Sequence, residues 1–241
     1  MTDALFRTDA YLREAAATVV AADEAGIVLD RSPFYPRAGG QPGDTGRISW
    51  EGGEVVVTDT VKGPDGGAIH VVAPGGHLPP PGTDVVATLD WERRHRHMRM
   101  HTTLHLLCSA MPGIFATGNQ IGAEKSRLDF DLPEPPAKEW FTERLNELIA
   151  GDHEIGERWI TEAELDASPG LVRTLSVQPP RGAGHIRLVR IGPEEAPVDL
   201  QPCGGTHVRR TSEIGRVEVS KMESKGRQNR RIHIILAGDP A

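Results

Sequence analysis

Residues Trp91 to Met111 read WERRHRHMRMHTTLHLLCSAM, and this stretch decides how the chain divides. It is followed by Pro112, contains no glycine or proline itself, and sets Met100, Leu104 and Leu107 at a spacing compatible with one helical face. A long helix is expected here. Upstream, the pattern changes. Short apolar runs at Thr18–Ala22, Gly26–Leu29, Glu54–Thr58, Ala68–Val72 and Asp84–Leu89 alternate with Gly-Gly, Pro-Asp-Gly-Gly and Pro-Gly-Gly turns. Many short strands at that spacing predict a small barrel or sandwich. Downstream, Trp140, Phe141, Leu145, Leu148 and Ile149 predict a second, amphipathic helix over Ala137–Ala150, stopped by Gly151. Strands are expected at Arg127–Phe130, His185–Ile191, Val217–Lys221 and Arg231–Leu236. The expected class is α+β: an N-terminal small β-barrel over residues 1–90, then an α+β domain over 91–241 with a sheet flanked by helices.

The bulk composition narrows the function classes. At 241 residues, with 38% hydrophobic and 25% charged residues, the chain reads as soluble and globular. No apolar run is long enough to span a membrane. The opening MTDALFRTDA lacks the basic and apolar regions of an export signal, so a cytoplasmic location is expected. The only two cysteines, Cys108 and Cys203, make no disulfide framework and read as reduced thiols; Cys108 reads as a small buried hydrophobe. The formal net charge is −7, so any phosphate-binding surface has to be a local basic patch.

Two short motifs carry chemistry. In His101-Thr-Thr-Leu-His105 the helical spacing puts both imidazoles on one face, within reach of one ion. In Cys203-Gly-Gly-Thr-His207 two glycines permit a tight turn that folds a thiolate and an imidazole around one ion. Nitrogen and sulfur donors suit zinc better than magnesium or calcium, which take oxygen. The expected metal ligands are His101, His105, Cys203 and His207, holding one zinc ion.

These two motifs, in this order, resemble the split zinc motif of the alanyl-tRNA synthetase editing domain and of the AlaX family of alanyl-tRNA editing proteins. The threonyl-tRNA synthetase editing domain is a more distant likeness. Further matches are Phe34-Tyr-Pro-Arg-Ala-Gly-Gly-Gln-Pro-Gly-Asp-Thr-Gly46, the approach Arg94, His97, Met98 and Arg99, the segments Asn119–Gly122 and Arg127–Phe130, and the flanks of the second motif from Asp199 to Gly215. Arg37 and Ala38 depart from the family's glycine-rich pattern. The resemblance implies the medium-length form, a barrel plus an editing domain, acting as a monomer or weak homodimer. It also implies a hydrolase that deacylates mischarged tRNA(Ala), chiefly Ser-tRNA(Ala) and also Gly-tRNA(Ala).

That reading assigns further roles. The glycine-rich stretch is either a turn of the barrel or, as the resemblance implies, a loop over the editing pocket, with Gly39, Gly40 and Gln41 near the substrate. Gln120 is a candidate partner for an attacking water. Thr102 and Thr103 either recognise a serine hydroxyl or bond back within the helix. Zinc would activate water, polarise the ester, or only position the substrate. Arg93, Arg94, Arg96 and Arg99 form one basic cluster, and Lys221, Lys225, Arg227, Arg230 and Arg231 another; with Arg127 they are candidate tRNA phosphate contacts, or solvated faces. Two other readings stay open: a zinc hydrolase for another ester, and a non-catalytic tRNA-binding module with structural zinc.

Overall fold

A computed structural model describes residues 2–75, 77–174, 181–182 and 184–239. The chain forms two compact units, Met1–His97 and Met98–Ala241. The division falls inside the long helix, after His97, and not at Asp90.

The first unit is the expected barrel. Its strands are β1 (Asp3–Ala4), β2 (Glu14–Asp23), β3 (Gly26–Leu29), β4 (Arg31–Ser32), β5 (Gly46–Trp50), β6 (Gly53–Lys62), β7 (Ala68–Val72) and β8 (Asp84–Leu89). Six of them close in the order β2-β3-β7-β6-β5-β8, while β1 and β4 form a short parallel pair. Closure removes the unpaired edges that an open sheet would expose. Inward residues alternate with outward ones, so Val55 and Val57 of β6 join Val19, Ile27, Leu29, Phe34, Ile48, Val85 and Ala87 in the core.

Helix α1 (Trp91–Ser109) opens on Asp90, whose side chain accepts from the Arg93 N–H at 3.2 Å. Its first turns belong to the barrel unit through Arg94. That side chain is wholly buried and its Nε donates to both Asp44 carboxylate oxygens, at 3.0 and 2.9 Å. Its remaining nitrogens reach Asp44, Ala10 O and Pro33 O. Asp44 also accepts from the Tyr35 N–H at 2.6 Å. Arg94 therefore ties the glycine-rich segment into the barrel unit, which corrects its expected role as a phosphate contact: a guanidinium with no exposed surface does not meet RNA.

The second unit holds the rest of α1 with β9 (Ala116–Gln120), β10 (Lys125–Asp131), α2 (Lys138–Ala150), β11 (Ile155–Thr161), α3 (Glu162–Asp166), β12 (His185–Ile191), β13 (Asp199–Pro202), β14 (Val217–Ser224) and β15 (Asn229–Leu236). From Met98 to Cys108 every residue of α1 is buried, so this part of the helix has no solvent face. Where one sheet was expected, the described residues form two: β14-β15-β10-β9, and β11-β12-β13. Helix α2 caps the edge strand β14. Asn146 bonds both the N–H and the C=O of Val217, at 3.1 and 2.8 Å, and Thr142 Oγ1 accepts from the Val219 N–H at 3.0 Å. No helix among the described residues is long and apolar enough to cross a membrane.

Candidate metal centre

One turn of α1 separates His101 from His105, and their rings stand 5.3 Å apart between centroids. Cys203 and His207 come from the loop that leaves β13. The four ligand atoms, one per residue, all lie within 4.8 Å of one another. Cys203 Sγ is 3.4 Å from His101 Nε2 and 3.3 Å from His207 Nε2. Sulfur at about 2.3 Å and nitrogen at about 2.0 Å from a tetrahedral zinc ion are roughly 3.5 Å apart, so the donor set fits such an ion. The three histidines are buried and the cysteine is partly exposed.

Neighbouring groups fix which ring nitrogen faces the centre. His105 Nδ1 lies 2.9 Å from Asp199 Oδ2, an oxygen that also accepts from Gln201 Nε2 at 2.8 Å. The Thr102 hydroxyl donates to Met98 O at 3.0 Å, leaving its oxygen to accept from His207 Nδ1–H at 3.1 Å. In both histidines Nε2 is thereby left free to take a metal ion, as in many carboxylate-braced sites. Burial alone would raise the Cys203 thiol, but the surrounding imidazoles of His101, His207 and His105 outweigh it and bring it well below its usual range. His207 is lowered well below the usual imidazole value by burial and by the neighbouring His101 charge. A thiolate and a neutral imidazole are the forms that bind metal. For His105, burial opposes protonation, while the Asp199 bond and the Cys203 thiolate favour it more, raising the imidazole to about 10, so a metal ion bound at Nε2 would displace a proton there.

The guanidinium of Arg187 holds the loop itself, donating to Cys203 O and Gly205 O, both at 2.9 Å, and to Glu157 at 2.6 Å. Gly205 N–H in turn donates to Cys203 Sγ at 3.4 Å.

Over nearly its whole length this sequence is related to known proteins. It is 37% identical to an alanyl-tRNA editing protein AlaX-M of Methanosarcina mazei, covering 98% of this chain and 97% of that one. It is 32% identical to an AlaX-M of Saccharolobus solfataricus over 98% and 99%. The chain belongs to the AlaX-M family of alanyl-tRNA editing proteins. It is also 37% identical to the alanine–tRNA ligase of Pyrobaculum neutrophilum, over 92% of this chain but 25% of that enzyme. Residues 186–233 match the threonyl and alanyl tRNA synthetase second additional domain, and residues 6–93 match the class II (A) tRNA synthetases. The AlaX-M member described here thus carries its four candidate metal ligands on two segments, of which the second lies inside the additional-domain match.

The other expected site residues are dispersed. Thr102 is at the centre, with its hydroxyl engaged by His207. Thr103 is fully buried and donates to Arg99 O at 2.8 Å, the back-bond within the helix and not a substrate contact. Arg99 is buried and bonds Ile214 O at 2.8 Å and Gly238 O at 2.7 Å, which corrects its expected phosphate role. Gln120 is exposed on β9, opposite Arg127 of β10, whose Nε donates to it at 3.2 Å; Arg127 also pairs with Asp129 at 2.8 Å. Lys221 is exposed and paired with Glu223 at 2.7 Å, and Lys225 stands 3.9 Å from the same carboxylate. In the barrel unit Gly39 and Gly40, at φ +58° and +88°, make the two-residue turn between Ala38 and Gln41, whose backbones exchange bonds of 3.2 and 2.9 Å. Gln41 is fully buried.

The residues missed were Gln201, Arg187 and the bracing role of Asp199. One signal was available: Asp199-Leu-Gln201-Pro-Cys203 alternates with the period of a strand, which sets Asp199 and Gln201 on the face of the candidate ligand Cys203.

Proposed function

We propose that this protein is a trans-editing aminoacyl-tRNA deacylase that hydrolyses mischarged tRNA(Ala), chiefly Ser-tRNA(Ala) and also Gly-tRNA(Ala), with one zinc ion held by His101, His105, Cys203 and His207. The observation that carries the reading is the convergence of those four ligand atoms in a member of an editing family. With three of the four ligands binding strongly and the fourth displaced by water or substrate, bound zinc would supply a polarised ester carbonyl or a water acidified toward ~7. The chain's own residues do the positioning: Asp199 and Gln201 orient His105, Thr102 orients His207, and Arg187 holds the loop of Cys203. Cys203 is the least buried of the four ligands, so the ester is expected to approach from its side. Arg127, Lys221 and Lys225 remain candidate phosphate contacts on the exposed sheet.

Deacylation of Ser-tRNA(Ala) and Ala-tRNA(Ala) by the wild type and by Cys203→Ala and His105→Ala tests this. The wild type is expected to release serine quickly and alanine slowly, and both variants to fall by at least about a hundredfold. Equal rates on the two substrates would overturn the editing claim. Undiminished rates in the variants would overturn the role of the metal.

A further inference from the structure

The three-stranded sheet extends the metal centre sideways. Its register places Trp159 of β11 opposite Arg187 of β12, and the Cys203 N–H donates to Arg187 O at 3.2 Å. Residues directly opposite in an antiparallel sheet share a face. Trp159, Arg187 and Cys203 therefore form one row, beside a second row of Glu157, Val189 and Gln201. On the opposite face Ile160, Ile186 and Leu188 pack with Leu165, while the Trp159 face buries Val189 and Ile191 further along the sheet. Trp159 takes no part in that core: it is 53% exposed on an edge strand, on the side of the sheet that carries a metal ligand.

Two strand spacings put Trp159 roughly 10 Å from Cys203. That is the scale of the distance from an ester on a ribose to a nucleobase at the same RNA end. An exposed indole stacks on any base through its π-face, independently of base identity. Arg187, between the two, is fixed by bonds to Cys203 O and Gly205 O of the loop and to Glu157 of β11. The row thus offers an aromatic plane, a fixed guanidinium and a metal ligand in line, leading to the most open side of the centre.

We propose that Trp159 is a stacking platform for an unpaired 3′-terminal base of the tRNA whose ester reaches the centre at Cys203. This rests on the deacylase reading above and gives it a substrate-binding residue.

The test uses the full-length protein as wild type, Trp159→Ala and Trp159→Phe. The probes are an uncharged acceptor-stem hairpin with its single-stranded 3′ end and the same hairpin trimmed of that end. The wild type is expected to prefer the intact hairpin. Trp159→Ala is expected to lose about tenfold or more in affinity for it and to compress the intact-to-trimmed ratio toward one, while Trp159→Phe keeps most of that ratio. Indole fluorescence is expected to quench with the intact hairpin only, and not in Trp159→Phe. On Ser-tRNA(Ala), the Trp159→Ala loss is expected in KM more than in kcat. An unchanged ratio in Trp159→Ala, or an equal loss for both hairpins, overturns the platform. Failure of the wild type to deacylate any tRNA overturns the parent reading, and the hairpin ratios still decide whether Trp159 stacks.

Discussion

Asp199 Oδ2 lies 2.9 Å from His105 Nδ1, so a carboxylate from β13 sets the orientation of an imidazole on α1. The bond holds the proton on Nδ1 and leaves Nε2 facing the candidate metal centre. Asp199→Asn keeps the size and removes the charge. Metal affinity is expected to drop about 10- to 100-fold, measured by competition with a chromophoric chelator, with the far-UV spectrum of the folded protein retained. Unaltered affinity would mean that helix packing alone orients His105.

Asp44 and Arg94 are buried together in the barrel unit, with side-chain exposures of 1% and 0%. Removing one partner leaves an uncompensated charge. Asp44→Ala also deprives the Tyr35 N–H of its acceptor. The expected loss is about 3–5 kcal/mol, read from urea unfolding of the full chain. Arg94→Lys is expected to be nearly as damaging, because one ammonium does not replace a guanidinium that spans Asp44, Ala10 O and Pro33 O. A loss under about 1 kcal/mol for Asp44→Ala would show that the pair is dispensable.

His70 lies wholly inside the barrel unit, bonded to Ile27 O at 2.8 Å and Ser32 Oγ at 2.7 Å. Burial lowers its value to about 4, against a partial opposing effect of the Ile27 carbonyl. The folded state thus holds the imidazole neutral where the unfolded chain, titrating near 6.5, takes up a proton. This contribution is present in full above pH ~6.5 and is lost progressively as pH falls toward 4, up to about 3 kcal/mol in total. Urea unfolding of wild type and His70→Gln at pH 7.5 and pH 5 checks it. The wild type is expected to lose about 2 kcal/mol more than the variant over that interval, and parallel losses would show that His70 does not drive acid sensitivity.

The barrel was legible because its strands alternate and its turns carry glycine. Gly26–Leu29, Ala68–Val72 and Asp84–Leu89 match three strands residue for residue. Strand β5 was missed because Gly46–Trp50 is short, has only Ile48 and Trp50 as apolar inward residues, and follows the glycine-rich run. Strand β11, with the sequence IGERWIT, was missed for a related reason: its burial comes from one core residue, Ile160, while Glu157, Arg158 and Trp159 face solvent.

By itself, the sequence determined the local geometry of each motif. Helical periodicity put His101 and His105 on one face, strand alternation aligned Asp199, Gln201 and Cys203, and Gly39-Gly40 dictated a left-handed turn, since these depend only on neighbours along the chain. Tertiary structure alone decided which charges would be available. Arg94 and Arg99 look like any surface arginines in the sequence, yet packing encloses both and gives each an internal partner, whereas Trp159, the residue most expected to bury itself, stays in water. The physical reason is that burial and pairing depend on residues far away in sequence, Asp44 for one and Ile214 for the other, and no local pattern encodes those meetings.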